Sequence, residues 1–193
     1  MAQRNSNRLK RLKPLTPERR KALLDALNSG SLLEANSAAV SILQSPDPLL
    51  VPGILRVLRR GRRLGNRAEA AYALRFMDGV EGTTTLERIV SDRSENPHLR
   101  AFVAETLAHR HRPSSHAVLL RNLTDSSREV RFWCAFALGQ MRERKSLPIL
   151  KSLAESDHRV VRGWWAVSKE AKDAIRNINR KRNRAIGFCA SCR

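Results

Sequence analysis

Aromatic residues and cysteines are scarce in this sequence. Only 5% of the 193 residues are aromatic, and Ala and Leu supply most of the apolar side chains. Alternating β-branched residues are also sparse, so close-packed helices are favoured over strands and an all-α fold is predicted. The three cysteines are too few for a disulfide framework in a chain of this size, so a reducing, cytoplasmic environment is expected. Cys189 and Cys192 have the spacing of a zinc half-site, but no second pair accompanies them, and no metal or redox site is predicted.

The sequence also lacks long apolar runs and familiar catalytic motifs. No uncharged stretch is long enough to cross a bilayer, and the basic N-terminal segment is not followed by the apolar region of a signal peptide. No glycine-rich phosphate loop or nucleophile elbow is present, and the clear repeats carry no pair of acids on one helix face. We therefore predict no membrane span, no cofactor and no enzymatic activity.

Positive charge, in contrast, is abundant. The chain has 37 Lys and Arg against 18 Asp and Glu, which gives a formal net charge of +19. Most of the excess lies in residues 1–67 and 179–193, while the segment between them is nearly balanced. Clustering of this kind indicates an anionic partner held near the ends of the molecule, or basic arms that wrap one.

Four segments repeat one pattern, in which an arginine is followed four residues later by an alanine. The segments begin at Arg67, Arg100, Arg131 and Arg162, so they recur every 31 to 33 residues. A fixed period of this length predicts a helical repeat array. Each unit of such an array is a helix pair that buries its apolar face only by stacking on its neighbours, and the stack offers an extended binding surface.

Capping residues, prolines and glycines divide the chain into five helix pairs. The predicted helices are 17–28 with 31–44, 48–60 with 66–78, 83–91 with 96–110, 115–123 with 127–142, and 146–155 with 158–179. These antiparallel pairs predict an α-solenoid over residues 16–179, which we expect to be a monomer. Residues 1–15 form a basic N-terminal arm in this scheme, and residues 180–193 form a basic C-terminal tail.

The later units contain one longer pattern, made up in order of residues 119–131, 135–141 and 146–150. Over residues 96–166 the sequence resembles the HEAT-like repeats named for the phycobilisome lyases. The resemblance weakens at both ends, since Leu33 and Glu34 occupy the Val-Arg position of the first pair and Lys169 stands where the last helix is expected to carry Leu. It implies an α-solenoid used for binding, and it identifies a repeat class rather than an activity.

Three of the four repeated arginines are preceded by an aspartate a few residues earlier. The resemblance implies that such an arginine ties together the turn between two helices or the neighbouring unit, because its planar head satisfies carbonyls and a carboxylate at once. Contact with a ligand is the alternative. The residues with this predicted structural role are Arg100, Arg131 and Arg162 with Asp92, Asp125 and Asp157.

A second column stands two residues after each arginine and consists of Glu69, Phe102, Trp133 and Trp164. On a helix, this column lies at the border of the apolar stripe, opposite the arginine column. A border aromatic either packs against the next repeat or projects into the groove, where it stacks on a partner. Phe102, Trp133 and Trp164 are therefore candidate partner-binding residues.

The densest cationic run lies between residues 56 and 67 and contains no acid. Gly61 and Gly65 argue against one continuous helix through it, and charge at a helix C-terminus accounts for only one or two of its arginines. Binding of phosphate groups or of another polyanion is the more specific interpretation of this cationic run. The candidate anion-binding residues are Arg56, Arg59, Arg60, Arg62, Arg63 and Arg67, together with Arg180, Lys181, Arg182 and Arg184 of the tail.

Two binding functions therefore remain open. The first is a non-catalytic scaffold that binds a protein partner through groove aromatics, and the alternative is binding of nucleic acid without regard to sequence. A HEAT-like alkylpurine DNA glycosylase is less favoured, because the Asp which that family places one turn after a groove Trp is replaced here by Ala137 or Ser168. A bilin lyase is also less favoured, because it leaves the basic arms unexplained.

Overall fold

The structure is a computed structural model, and it describes residues 15–77 and 79–180. Within these ranges the chain forms ten α-helices, and its extended structure is limited to one isolated bridge between Val160 and Ala166. The helices, in chain order, are α1 Pro17–Ser29, α2 Leu32–Gln44, α3 Val51–Arg60, α4 Leu64–Ala73, α5 Val80–Ser91, α6 Pro97–Arg110, α7 Ser114–Asn122, α8 Arg128–Met141, α9 Leu147–Ser156 and α10 Val167–Asn179.

Local capping chemistry sets the helix starts. The Thr16 hydroxyl accepts a hydrogen bond from the Arg19 amide at the start of α1. At the start of α2, Ser31 and Glu34 form a reciprocal capping box, in which the Ser31 amide donates to the Glu34 carboxylate at 2.6 Å. Each cap satisfies amides that have no partner within the helix. Most predicted helix ends agree with the structure, although α4 ends at Ala73 rather than at residue 78.

Successive second helices stack directly on one another. Helices α2, α4, α6, α8 and α10 contact each other in this order, and the first helix of each pair packs against its own partner. Small residues line these contacts, and a Cβ on Gly139 of α8 would come within 2.7 Å of the Cα of Ala174 on α10. One hydrophobic core therefore runs continuously from α1 to α10. The molecule is an all-α solenoid of five helix pairs, as predicted.

The predicted helix over residues 158–179 is wrong in its first part, because α10 begins only at Val167. The preceding segment is a turn in which the Val161 amide donates to the Trp165 carbonyl at 3.2 Å. Gly163 lies in this turn with φ of +80°, a value that residues with a side chain rarely adopt. The adjacent β-branched residues Val160 and Val161 disfavour a helix. Arg162 is consequently exposed in a turn and does not occupy the helical position of Arg131.

A ladder of arginine–carboxylate bridges joins consecutive units. Arg100 donates to the Val90 carbonyl of its own pair at 3.0 Å and to the Asp125 carboxylate of the next pair at 2.5 Å. Arg131 repeats the arrangement with the Asp157 carboxylate at 2.8 Å. The side chains of Arg100 and Asp125 are 3% and 0% exposed, so the bridge lies within the core. Each bridge therefore connects one unit to the following one.

The bridge between the second and third units uses a residue that the sequence analysis missed. Arg67 donates to the Leu58 carbonyl at 2.8 Å and pairs with Glu95. Asp92, which was predicted to serve as a structural partner, is exposed and instead accepts a hydrogen bond from the Ser94 amide at 2.9 Å. Its position three residues before Glu95 is too early in the turn for the interunit contact.

We expect Arg100→Ala to destabilise the protein strongly, because it leaves the buried Asp125 carboxylate without its counter-charge. Loss of one partner of a buried ion pair costs about 3–5 kcal/mol in the free energy of unfolding. The matched control is Arg162→Ala, which removes an exposed arginine and should change that free energy by less than about 0.5 kcal/mol. Urea denaturation followed by circular dichroism measures both. Equal effects of the two substitutions would contradict the ladder.

Candidate partner-binding groove

Aromatic rings form a continuous row across the second helices. Neighbouring ring centroids lie 5.1–6.5 Å apart, and most pairs meet edge to face, the favoured geometry for aromatic contacts. The row runs in order through Phe76, His109, Phe136, Trp133, Trp164 and Trp165. It therefore crosses four units and ends at the turn before α10.

A pocket of about 250 Å³ opens at the end of this row, between α6, α8 and α10. Its walls stand nearly at right angles, since the planes of Trp133 and Trp164 meet at 80° and those of Trp164 and Trp165 at 79°. All three tryptophans of the chain line it. The lining residues are Glu105, Phe132, Trp133, Phe136, Gln140, Trp164, Trp165, Glu170, Asp173 and Asn177.

The turn before α10 holds two of these tryptophans in place. Phe132 is fully buried beneath them, with ring centroids 6.0 Å from both Trp164 and Trp165. The indole N–H of Trp165 donates to the Glu170 carboxylate at 2.9 Å. Trp164 remains 49% exposed, so its ring is accessible to a partner while the turn beneath it is fixed by packing.

Three ionisable groups of this surface have pKa values shifted towards their neutral forms. Burial raises the pKa of Glu170 to about 7, and the charge of Asp173 adds to this effect against the opposing hydrogen bond from Trp165. Burial also raises the pKa of Glu105, which pairs with Arg75 at 2.6 Å. His109, within the aromatic row, has its pKa lowered to about 4, mainly by burial. The groove is therefore a partly desolvated surface.

Comparison with known protein families places these units in a recognised repeat class. Residues 88–168 match the family model for HEAT repeats. This segment of the chain carries HEAT-like repeats. The matched segment extends from the end of α5 to the start of α10, so it includes the three tryptophans of the pocket. A search of curated proteins found no match to the sequence.

The HEAT repeats bring together two of the three aromatic residues predicted from the sequence. Trp133 and Trp164 have ring centroids 5.1 Å apart in the pocket. Phe102 lies one unit earlier, half-buried against Tyr72 at a centroid distance of 6.5 Å, and does not line the pocket. Partner binding by these residues stays a proposal.

The sequence analysis missed several groove residues that a further column would have revealed. The position five residues after the repeat arginine holds Tyr72, Glu105 and Phe136, and all three are half-buried on the second helices of their pairs. Trp165 and Glu170 follow no column, because they depend on the turn that replaces the predicted helix. Only the glycine at position 163 and the valines before it signalled that turn.

The arginines between residues 56 and 67 do not form one helical face. Helix α3 ends at Arg60, and α4 starts at Leu64, as the two glycines of this segment led us to expect. Arg59 donates to the Thr85 hydroxyl at 2.6 Å, and Arg63 donates to the Gly30 carbonyl at 3.1 Å. Together with Arg67 in the ladder, half of the candidate anion-binding cluster therefore makes contacts within the helical array.

The other half of the cluster remains exposed. Arg56, Arg60 and Arg62 have no hydrogen bond or ion pair within residues 15–77 and 79–180. In the tail, Arg180 is exposed, and its carbonyl accepts a hydrogen bond from Arg142 at 3.3 Å. The remaining tail candidates lie outside the described residues, and they are Lys181, Arg182 and Arg184.

The described residues contain neither a cluster of metal ligands nor a helix that could span a membrane. Among the described residues, no cluster of three or more His, Cys, Asp and Glu side chains has the arrangement of a metal site. Cys134 is buried, and burial raises the pKa of its thiol. Cys189 and Cys192 lie outside the described residues. No helix in this part of the chain has the length and apolar character that spanning a bilayer requires.

Glu170→Gln should alter the pH dependence of stability. The carboxyl has an ordinary pKa of 4.5 when unfolded and about 7 when folded, so the folded state holds the proton more tightly. Its contribution to stability is full below pH 4.5 and is lost as the pH rises through 7. Glutamine never ionises, and we therefore expect the variant to gain about 1–3 kcal/mol over the wild type between pH 5 and pH 8.

Thermal unfolding at several pH values measures this effect. Glu155→Gln is the control, because it removes an exposed carboxylate on α9. If the stability of wild type and of Glu170→Gln depends on pH in the same way, the burial of the Glu170 carboxyl is contradicted.

Proposed function

We propose that this chain is a non-catalytic HEAT-repeat scaffold that binds a protein partner in the aromatic groove. The main support for this proposal is that all three tryptophans of an aromatic-poor chain line one pocket. Trp164 is 49% exposed there. An indole that stays half exposed forgoes much of the stabilisation that full burial of its ring would give. Tryptophan is strongly enriched among the residues that dominate binding energy at interfaces. The cytoplasmic location and the monomeric state stay predictions.

The groove also has the construction expected of an interface. A fixed platform binds at a lower entropic cost than a mobile one, since its side chains are already ordered. Here Phe132 supports the exposed rings from below, and the Trp165–Glu170 hydrogen bond fixes the adjacent indole. HEAT repeats in general suggest a protein-interaction scaffold, which agrees with this assignment.

The carboxylates of the groove favour binding over catalysis. Glu105 is paired with Arg75, Asp173 with Arg176, and Glu170 accepts the Trp165 N–H. A general base needs a carboxylate within reach of the proton that it abstracts, and these groups are engaged by their own chain. The glycosylase alternative gains no support from them, because none of them occupies the position one turn after a groove tryptophan, where Ala137, Ser168 and Lys169 stand.

Trp164→Ala should abolish partner binding and leave the fold intact, because the ring is half exposed and lies in a turn. The partner is first identified by replacing Gln140, an exposed lining residue, with the photo-crosslinker benzoylphenylalanine in a cell extract. The same replacement at Val80, 82% exposed at the start of α5, is the control. We expect one protein to crosslink from position 140 only, and Trp164→Ala to lose at least about tenfold in affinity for it. Crosslinking from both positions, or retention of the partner by Trp164→Ala, would reject the groove as the binding surface.

Binding of nucleic acid is the second candidate function. The observation in its favour is that Arg56, Arg60 and Arg62 project from one region without partners among the described residues, beside acid-free sequence. Arginines placed in this way neutralise phosphates without reading bases, and such binding depends steeply on salt because counterions are released.

A comparison of two triple variants tests this candidate. The first replaces Arg56, Arg60 and Arg62 with Ala, and the control replaces the exposed Arg88, Arg121 and Arg144, so both remove the same charge. We expect only the first to weaken binding to random duplex DNA and to reduce the slope of log K against log salt by about 2 to 3. Equal losses in the two variants would mean that net charge alone attracts the DNA and that the arginine cluster forms no site.

A further inference from the structure

Resting on the proposed function, we propose that the groove recognises a cation, namely a Lys or Arg side chain of the protein partner inserted among Trp133, Trp164 and Trp165. The pocket thus takes a positively charged side chain of the partner. Three observations support this assignment: the arrangement of the rings, the charge of the lining residues, and a cation of this chain that already contacts one indole face.

The three indoles form the walls of a cage. Neighbouring rings are nearly perpendicular, with centroids 5.1 and 5.5 Å apart, so their faces do not stack on one another. The face of an aromatic ring carries negative electrostatic potential, and tryptophan attracts cations most strongly of the aromatic side chains. A pocket of about 250 Å³ with such walls accommodates an ammonium or guanidinium head together with part of its alkyl stem.

The charge of the lining has the matching sign. Three of the ten lining residues are acidic and none is Lys, Arg or His, although the whole chain has a net charge of +19. Glu105 and Asp173 have arginine partners outside the pocket. Glu170 is 4% exposed and has no ion pair within the described chain. A ligand cation would supply the counter-charge that this buried carboxylate lacks.

A cation of the same chain already stacks on this cage. The ammonium of Lys169 lies 4.1 Å from the centroid of the Trp165 ring. That distance is well within the range of a cation–π contact. One face of Trp165 therefore binds an alkylammonium group in the structure, while Trp164 keeps an exposed ring without such a contact among the described residues.

Tryptophan fluorescence reports on this pocket alone, because every tryptophan of the chain lines it. The full-length protein is titrated at constant ionic strength with acetyl-Gly-Lys-Gly-amide, its Arg counterpart and the neutral norleucine counterpart. We expect saturable changes in the millimolar range for Lys and Arg and at least about tenfold weaker binding of norleucine. Norleucine binding as tight as that of Lys, or no saturable change with any peptide, would overturn the proposal.

Acid variants locate the bound cation. Glu170→Gln and Asp173→Asn should each weaken Lys binding by about tenfold, and Glu155→Gln, which removes an exposed carboxylate on α9, should leave it unchanged. Binding should also strengthen between pH 6 and pH 8 as Glu170 ionises. The charged groups that face Glu170 are Asp173 and Lys169 on α10 and Glu105 on α6, and the lining from α8 is uncharged. Unchanged affinity in both acid variants would overturn the proposal.

These results separate the inference from the function on which it rests. If the norleucine peptide binds as tightly as the Lys peptide, the groove remains a protein-binding surface that takes an apolar side chain, and only the preference for a cation is rejected. If Trp164→Ala loses the crosslinked partner but none of the three peptides changes the tryptophan fluorescence, the groove likewise remains the binding surface and only the cation is rejected. Retention of the partner by Trp164→Ala would instead reject the proposed function, whatever the peptides do.

Discussion

The buried bridge between an arginine of one unit and a carboxylate of the next is the contact on which the arrangement of the array depends. Apolar contacts between helices are not directional, so stacked alanines and leucines alone permit neighbouring units to slide or rotate. An arginine head that holds both the Val90 carbonyl and the Asp125 carboxylate permits one register. The residues on the outer face of the second helices therefore superpose from unit to unit, and a row of rings can form.

The last bridge also shapes the candidate site. Asp157 accepts from Arg131 at 2.8 Å and from Arg159 at 2.9 Å, while its carbonyl accepts from the Ser168 amide at 2.7 Å. One residue thus joins the ladder to both ends of the turn that carries Trp164 and Trp165. A turn replaces the first part of the helix expected over residues 158–179, and the shortened helix leaves space that the two indoles line. The same contact that fixes the register accordingly positions the pocket.

The sequence was informative wherever structure is determined locally or by period. Caps and breakers located the helices, the interval between arginines identified the units, and the helical wheel placed Trp133 at the border of the core. The sequence was uninformative where a contact joins distant residues or depends on a turn that periodicity does not predict. Glu95 was missed because its longer side chain reaches Arg67 from a different position than an aspartate does, and Glu170 was missed because its surroundings exist only once the turn has formed. No short window of sequence contains both Arg67 and Glu95, whereas Trp165 and Glu170 are close in sequence and meet only because of a turn that helical periodicity does not predict.

Net charge is a poor guide to what each surface of this protein binds. The excess of arginine attracts polyanions at long range, but screening limits that attraction to about 8–10 Å at physiological salt, so the groups lining a pocket decide its ligand. The exposed arginines beside α3 and the acidic aromatic groove at α6, α8 and α10 belong to different units and to different helix layers. Because a cationic side chain in the groove leaves those arginines untouched, the two surfaces are able to act independently, and substitutions in one need not affect the other.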